Sequence, residues 1–290
     1  MKKRERKIKL FFLPAVVLML FFVVYPFFQT VYISLCKWNG YSAGSLKWAG
    51  IGNYIDMLSD KRFWGALRNT IIYGFGSTAI QNIIGLLIAL FVNTGFKGNR
   101  AVRAVVYMPI MISGLIMGYI MYFFLTYDRG VLNDFLLWLS KEPVDWLADG
   151  NRGIVLITAI NSWQYAGNCM IIYLAGLQGV PAMYKEAAAI DGAGKVQIFF
   201  HIILPLLVPA MTTAIIINLI GGLKLFDPVI SLTNGGPNHM TDSLMTYLNS
   251  QYFLKERAGY ASAIGIVTFL LIMFVSVLNS RFFEKRRVEM

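Results

Sequence analysis

Six long apolar stretches alternate with polar segments along the chain. Each is about as long as the roughly 20 residues that an α-helix needs to cross a bilayer, and each has few or no charged residues in its middle. They lie at approximately residues 10–35, 70–92, 104–126, 153–178, 202–225 and 260–280. The pattern predicts an all-α polytopic membrane protein with six transmembrane helices.

The composition agrees with residence in a bilayer. Hydrophobic residues make up 57% of the 290 residues, charged residues make up 14%, and the mean hydropathy is +0.59. Ordinary soluble domains contain only roughly 45–50% apolar residues. The net charge of +11 does not indicate nucleic-acid binding, because the basic residues gather between apolar runs without interleaved aromatic residues. We expect no nucleic-acid partner.

The first apolar run follows a basic N-terminus, as the apolar region of a secretion signal does. Six lysines and arginines lie within residues 1–9. The apolar region of a signal is only about 7–15 residues long and ends at a small-x-small cleavage site. This run continues through Pro26 to Leu35 without such a site. It is therefore predicted to stay in the membrane.

The basic residues also predict the orientation of the chain. Of the 26 lysines and arginines, 15 lie on the side that holds both termini and the loops 93–103 and 179–201. The other 11 are spread over longer loops on the opposite side. Because short loops rich in Lys and Arg stay in the cytoplasm, we predict that the N- and C-termini are both cytoplasmic.

One membrane domain accounts for almost the whole chain, since it contains no repeats of roughly 20–50 residues and no long linker. We predict a basic cytoplasmic N-terminus at 1–9, a six-helix transmembrane domain at 10–283 and a cytoplasmic tail at 284–290. Cys36 and Cys169 lie in or beside apolar runs. They are interpreted as packing residues, because disulfide frameworks and metal sites need more thiols at closer spacing.

The loop at residues 180–205 predicts a helix, a turn and a second helix at the cytoplasmic surface. Pro181 suits a first helical turn, and residues 183–190 are mostly good helix formers. Asp191-Gly192 then permits the left-handed backbone that often ends a helix.

Three parts of this loop, Glu186-Ala187-Ala188, Asp191-Gly192-Ala193 and Leu204-Pro205, resemble the EAA loop of ABC-importer membrane subunits. The resemblance implies a coupling helix that docks in a groove of a separate ATPase, with Glu186 at the contact and Gly192 in the tight turn. His201 departs from the pattern, because family members often carry Arg or Lys there. The coupling residues implied in this way are Glu186, Ala187, Ala188, Asp191, Gly192 and Ala193.

A phosphate-binding loop is not recognisable in this chain. Gly192-Ala193-Gly194-Lys195 lacks the glycine five residues before Gly194 and the Ser or Thr after Lys195. We expect the chain to bind no cofactor, with ATP and magnesium held by a partner ATPase. The two histidines form no H-E-x-x-H motif and a G-x-S-x-G motif is absent. We therefore expect no metal site, no catalytic residue and no enzymatic activity.

The resemblance covers approximately residues 10–283 and includes the segments 52–54, 63–70, 226–237 and 259–263. These segments look like carbohydrate importers of the maltose and glycerol-phosphate type, and the Leu-Thr-Asn-Gly-Gly-Pro turn within them resembles the first of the two paired permeases. The resemblance implies a type I permease fold, alternating access, and a place in the bacterial cytoplasmic membrane. It implies as partners a second homologous permease, two ATPase copies, an extracytoplasmic solute-binding protein at the outer turn, a sugar and membrane lipid.

Polar residues are concentrated in the fourth apolar run, where they are expected to face the bundle or a cavity. Asn161, Tyr165 and Asn168 recur at helical spacings and share one face, with Gln164 beside them. Two interpretations are open, because these groups could bond neighbouring helices or bind the hydroxyls of a sugar. Trp163 lies about 200° from Asn161 and Tyr165 on an ideal helix.

The family resemblance favours the sugar site. It implies that Asn161 and Trp163 contact the sugar and that the end of the fifth run contributes to the same site. Lys224 and Asp227 are expected to pair at i,i+3, and Gln81 is interpreted as a helix-packing residue. The residues predicted to line the substrate cavity are Asn161, Trp163, Gln164, Tyr165, Asn168, Gly222, Leu223 and Phe226.

The sequence as a whole predicts a permease subunit of an ABC importer for an oligosaccharide, forming half of the translocation path. The alternative is an ion-coupled secondary transporter for a small polar solute. Such transporters usually carry ionisable groups at the membrane midplane and often show inverted repeats. The centres of these runs contain no Asp or Glu, which favours the ATP-driven importer.

Overall fold

The computed structural model describes residues 12–284, so the predicted basic N-terminus at 1–9 and the tail beyond Glu284 lie outside the described residues. The described chain is helical apart from loops and one antiparallel ladder of two short strands, β1 (Cys36–Lys37) and β2 (Lys47–Trp48). The all-α prediction is confirmed.

The helices are long where the apolar runs are long, and short helices lie between them. In chain order they are α1 (Phe12–Ser34), α2 (Gly52–Ser59), α3 (Lys61–Asn93), α4 (Asn99–Met111), α5 (Gly114–Leu125), α6 (Val131–Trp138), α7 (Gly150–Gln178), α8 (Ala182–Ile190), α9 (Lys195–Leu206), α10 (Val208–Leu223), α11 (Asp227–Leu232), α12 (Leu244–Asn249, continued by the π-helical turn Ser250–Leu254) and α13 (Ala258–Glu284).

Within residues 12–284, three single helices, α1, α3 and α13, are long and apolar enough to span a membrane, and two bent pairs raise the number to five. The pairs are α4 with α5, bent by 98°, and α9 with α10, bent by 67°. Helix α7 coincides with the fourth predicted run and is long enough at 29 residues, but its polar residues make it less apolar than the others. The exact number of spans stays a prediction.

The two bends correct the expectation of continuous helices at 104–126 and 202–225. In the first, Pro109 lies in a short 3₁₀ turn, and Ile112 and Ser113 are extended, with ψ of 132° and 147°. Ser113 then caps α5 by accepting from the Ile116 N–H at 3.4 Å. In the second, Pro209 has no N–H to bond the carbonyl four residues earlier, which breaks the helical ladder.

The chain divides into two compact units, one of residues up to Phe63 with Tyr247–Phe269, the other of Trp64–Thr246 with residues from Leu270. In the first unit, the Asp60 carboxylate accepts hydrogen bonds from Tyr247 and from Tyr260, the latter at 2.6 Å. Burial alone would raise the pKa of Asp60, but these bonds and those from the Arg62 and Phe63 N–H groups hold it below 3.8.

In the second unit, α7 lies at the centre and packs closely on α3. A Cβ built on Gly85 of α3 would lie 2.3 Å from Cys169 Cβ and 3.0 Å from the Ala166 carbonyl oxygen of α7. Cys169 and Met170 are fully buried in an apolar cluster that α7 shares with α3 and α10. One face of the polar helix is therefore covered by α3 and α10.

Candidate translocation cavity and coupling segment

A cavity of about 220 Å³ lies inside the second unit, between α3, α4, α7 and α10. Its walls combine amide and phenol groups with apolar side chains, and no charged residue among residues 12–284 lines it. The lining residues are Gln81, Ile110, Asn161, Tyr165, Asn168, Ile217, Asn218, Gly221, Gly222 and Leu225.

The backbone packing of α10 on α3 shapes one wall of this cavity. A Cβ on Gly222 would lie 2.8 Å from Gly74 Cα and 2.9 Å from the Tyr73 carbonyl oxygen. Only glycine permits this approach, because a larger residue would push the helices apart. The approach brings Asn218, one turn earlier on α10, to the polar face of α7.

Several polar groups of the cavity keep unused hydrogen-bonding capacity. Gln81 Nε2 donates to the Asn161 carbonyl at 3.1 Å, whereas Gln81 Oε1 is buried and has no partner in the part of the chain that the structure describes. Asn218 Nδ2 contacts Cys169 Sγ at 2.6 Å. A buried polar atom without a partner is costly, so these groups are suited to a ligand that brings hydroxyls.

The structure brings together four of the eight predicted cavity residues. Asn161, Tyr165, Asn168 and Gly222 line the cavity. Gln81 and Asn218 also line it, but the sequence did not predict them as cavity residues. Gln81 was interpreted as a helix-packing residue instead. Whether a substrate binds to these residues stays a prediction.

The other four predicted residues do not line this cavity. Trp163 is 50% exposed on the opposite side of α7, as the helical angle of about 200° requires. Gln164 is fully buried and donates to the Ile112 carbonyl, which the bend after α4 leaves free, at 2.9 Å. Leu223 is buried against Gly74, and Phe226 lies in the non-helical link after α10.

The expected pairing of Lys224 with Asp227 is wrong. Helix α10 ends at Leu223 and α11 begins at Asp227, so the two residues do not lie one turn apart on a single helix. Asp227 instead packs against Gly114 of α5, where an added Cβ would lie 3.1 Å from Asp227 Cβ.

The turn after α11 is held by the start of α3. Asn69 Nδ2 donates to the carbonyls of Met240 and Asp242, at 2.6 and 3.0 Å. Tyr73 donates its hydroxyl hydrogen to the Thr241 carbonyl at 2.9 Å. These bonds connect the turn to α3.

The segment 180–205 has the predicted helix, turn and second helix, formed by α8 and α9. Gly192 has φ of +82° and ends α8. The Ala193 N–H bonds the Ala188 carbonyl at 2.9 Å, and the Gly192 N–H bonds the Ala189 carbonyl at 3.2 Å. This pair of bonds is a Schellman motif, which satisfies carbonyls that the end of a helix leaves free.

None of the side chains of helix α8 is buried. Met183 is 66% exposed, Tyr184 42% and Ile190 87%. Glu186 and Ala187 are exposed on the same helix. A shallow pocket of about 380 Å³ beside α8 is lined by the turn after it and by α9, including Asp191, Gly192, Ala193 and His201.

Groups of three or more His, Cys, Asp or Glu side chains that could hold a metal ion do not occur among residues 12–284. Cys36 and Cys169 are free and buried.

The model of the family of binding-protein-dependent transport system inner membrane components matches residues 81–288. The chain belongs to this family. The match includes every residue that lines the cavity, from Gln81 to Leu225, and the whole coupling segment, so both features lie in the part of the chain that defines the family.

Relatives and solved structures match almost the full length. The chain is 32% identical over 288 residues to the trehalose/maltose transport system permease protein MalF of Thermococcus litoralis, covering 99% of this chain and 97% of that protein. It is 31% identical over 278 residues to the multiple sugar-binding transport system permease protein MsmF of Streptococcus mutans, covering 96% and 95%. A bacterial ABC transporter involved in the import of the acidic polysaccharide alginate has a chain of similar structure, with a TM-score of 0.84 and 25% identity, covering 98% and 96%.

Family membership confirms that the chain is an ABC transporter permease with the type I fold. Such permeases are membrane components of transporters and are not themselves enzymes. The family description places the chain among inner membrane components of transport systems that depend on a binding protein.

Proposed function

We propose that this chain is a permease subunit of an importer for carbohydrate, specifically oligosaccharide, and forms half of the translocation path. A second homologous permease forms the other half, and two copies of a separate ABC ATPase drive transport. An extracytoplasmic solute-binding protein delivers the sugar. The relatives and solved structures support this proposal, since their names and descriptions concern trehalose, maltose, multiple sugars and alginate.

The chemistry of the cavity supports an uncharged, hydroxyl-rich substrate. Asn161, Asn168, Asn218 and Gln81 offer amide groups and Tyr165 offers a phenol. Amides both donate and accept hydrogen bonds, as sugar hydroxyls do. Because no carboxylate or cation in the described part of the chain lines the cavity, a charged solute would enter it without a partner there, which is costly. Neutral sugar units therefore fit this part of the path better than charged ones.

The exposed surface of α8 is the observation that carries the ATP-driven mechanism. Met183, Tyr184 and Ile190 present large apolar side chains outward, and apolar patches of this kind mark sites of protein contact. We propose that α8 docks in a groove of the ATPase, with Glu186 at the contact and Gly192 holding the turn. Movement of the ATPase is then passed through α9 to α10, which lines the cavity.

The test uses the chain together with its partner permease, ATPase and binding protein in proteoliposomes. Glu186→Lys reverses the charge on α8 and should lower sugar-stimulated ATPase activity at least tenfold. The matched control is Glu142→Lys, which makes the same charge reversal at an exposed position in the loop between α6 and α7 and should leave activity within twofold. Equal activities of the two variants would show that α8 is not the coupling element.

The substrate is tested by screening sugars for stimulation of the wild-type complex. Maltose, trehalose, longer maltooligosaccharides and alginate oligosaccharides form the first panel. Stimulation by neutral oligosaccharides supports the proposed substrate class. Stimulation by none of the sugars, in a complex that a non-sugar solute does stimulate, would refute it.

A further inference from the structure

A groove of about 520 Å³ lies outside the cavity, between α5 and the end of α11. Tyr119, Tyr122 and Phe123 line one wall, and their spacing puts them on one face of α5. The opposite wall is formed by residues 230–234, which include Asn234 at its end.

The aromatic side chains of this wall are exposed. Tyr119 is 51% exposed, Tyr122 39% and Phe123 66%. Neither tyrosine hydroxyl nor the Asn234 amide group forms a side-chain hydrogen bond with any residue from 12 to 284. By contrast, the hydroxyls of Ser231 and Thr233 are bonded to carbonyls of α11. The groove therefore combines aromatic faces with two phenols and one amide that are available to a ligand.

The groove is built on a rigid base. A Cβ on Gly114 would lie 3.1 Å from Asp227 Cβ, and a Cβ on Gly118 would lie 2.8 Å from Ser231 Cβ. The second contact lies four residues after the first on both helices, at Gly118 on α5 and at Ser231 on α11. Helices α5 and α11 therefore run side by side in the same direction. Close packing of this kind fixes the spacing of the two walls.

The cavity is too small to enclose an oligosaccharide. Its volume of about 220 Å³ lies below the roughly 300–1,000 Å³ of pockets that enclose a drug-sized ligand. The groove lies further along the same stretch of chain, because Leu225 lines the cavity and residues 230–234 line the groove. Because an extended chain covers at most about 3.6 Å per residue, the five residues from Leu225 to Ile230 separate the cavity lining from the groove lining by at most about 18 Å, which an oligosaccharide of several units spans.

We propose that this groove is a second carbohydrate subsite, which holds the sugar units of a longer oligosaccharide that do not fit the cavity. The aromatic faces of α5 stack on sugar rings, and Asn234 and the tyrosine hydroxyls bond sugar hydroxyls. This inference rests on the proposed function and specifies the part of the chain that selects substrate length.

The first experiment asks whether the groove is open in the assembled transporter. Phe123→Cys is reacted with a charged, membrane-impermeant maleimide in proteoliposomes, against the wild-type background in which both cysteines are buried. We expect the new thiol to react, and a pentasaccharide to slow the reaction more than a disaccharide of the same series does. An unreactive thiol would mean that lipid or the partner permease covers the groove, and would overturn the proposal.

The second experiment measures length selection by comparing the uptake of penta- and disaccharides of the maltooligosaccharide and alginate series. Loss of an aromatic contact lowers affinity by roughly 2- to 13-fold, so the double variant Tyr119→Ala/Tyr122→Ala should lower the penta-to-disaccharide ratio about tenfold. Phe124→Ala, on the same helix but outside the groove, is the matched control and should keep the wild-type ratio. An unchanged ratio in the double variant would overturn the subsite, whereas a wild-type complex that takes up neither series would refute the proposed function itself.

Discussion

Gly85→Ala tests the central position of α7 in the bundle. The added Cβ would lie 2.3 Å from Cys169 Cβ, 2.9 Å from the Met170 amide nitrogen and 3.0 Å from the Ala166 carbonyl oxygen. None of these atoms moves by a side-chain rotation, so α3 and α7 must separate. Overpacking costs roughly 1–3 kcal/mol, and we take the upper end because backbone must shift. The gain in helix propensity offsets about 1 kcal/mol, which leaves a net loss of about 2 kcal/mol.

The assay is thermal unfolding of the purified chain, followed at a fixed heating rate. A loss of about 2 kcal/mol should lower the melting temperature by roughly 4–8 °C for a chain of this size. Gly65→Ala is the matched control on the same helix, because no atom lies within 4 Å of its added Cβ. It should raise the melting temperature, since propensity alone acts there. If Gly85→Ala also raised the melting temperature, α3 and α7 would not pack as described.

Two further changes test the polar contacts outside the cavity. Asp60→Asn should lower the melting temperature at neutral pH, because it removes the charge that the Tyr247 hydroxyl and neighbouring N–H groups bond. Because the pKa of Asp60 is lower in the folded chain than in the unfolded chain, the stability that this carboxylate contributes should be constant from pH 7 to about 5 and should fall below about pH 4. If the melting temperature of the Asn variant fell with acid as that of the wild type does, the hydrogen bonds of Asp60 would not be the cause. Asn69→Ala removes the amide group that donates to the carbonyls of Met240 and Asp242. It should lower the free energy of unfolding by about 2–4 kcal/mol. An unchanged melting temperature would show that the turn is held by other contacts.

Features that depend on neighbouring residues in the chain were predictable from the sequence. The apolar runs located the long helices, because bilayer thickness sets the length of a spanning helix. The turn after α8 was predictable because Asp191-Gly192 is a local stop signal, and Gly192 does adopt a left-handed backbone. The position of Trp163 away from Asn161 followed from helix geometry alone.

Features that depend on which helices pack together were not predictable. Gln81 and Asn218 line the cavity because α3 and α10 approach the polar face of α7, and their own neighbours in sequence carry no sign of this. Gln164 shares the polar cluster but turns to the carbonyl of Ile112. That carbonyl is free only because the chain bends after Pro109, a bend that a count of apolar residues does not detect.

A measurement of energy coupling tests most directly whether this permease works in an ATP-driven importer. Proteoliposomes containing the permease pair and ATPase are loaded with ATP, ADP or neither, and uptake of binding-protein-delivered oligosaccharide is measured with and without an ionophore. We predict uptake only with internal ATP, unchanged by the ionophore. Uptake that proceeds without ATP and is abolished by the ionophore would contradict this prediction and establish an ion-coupled transporter instead.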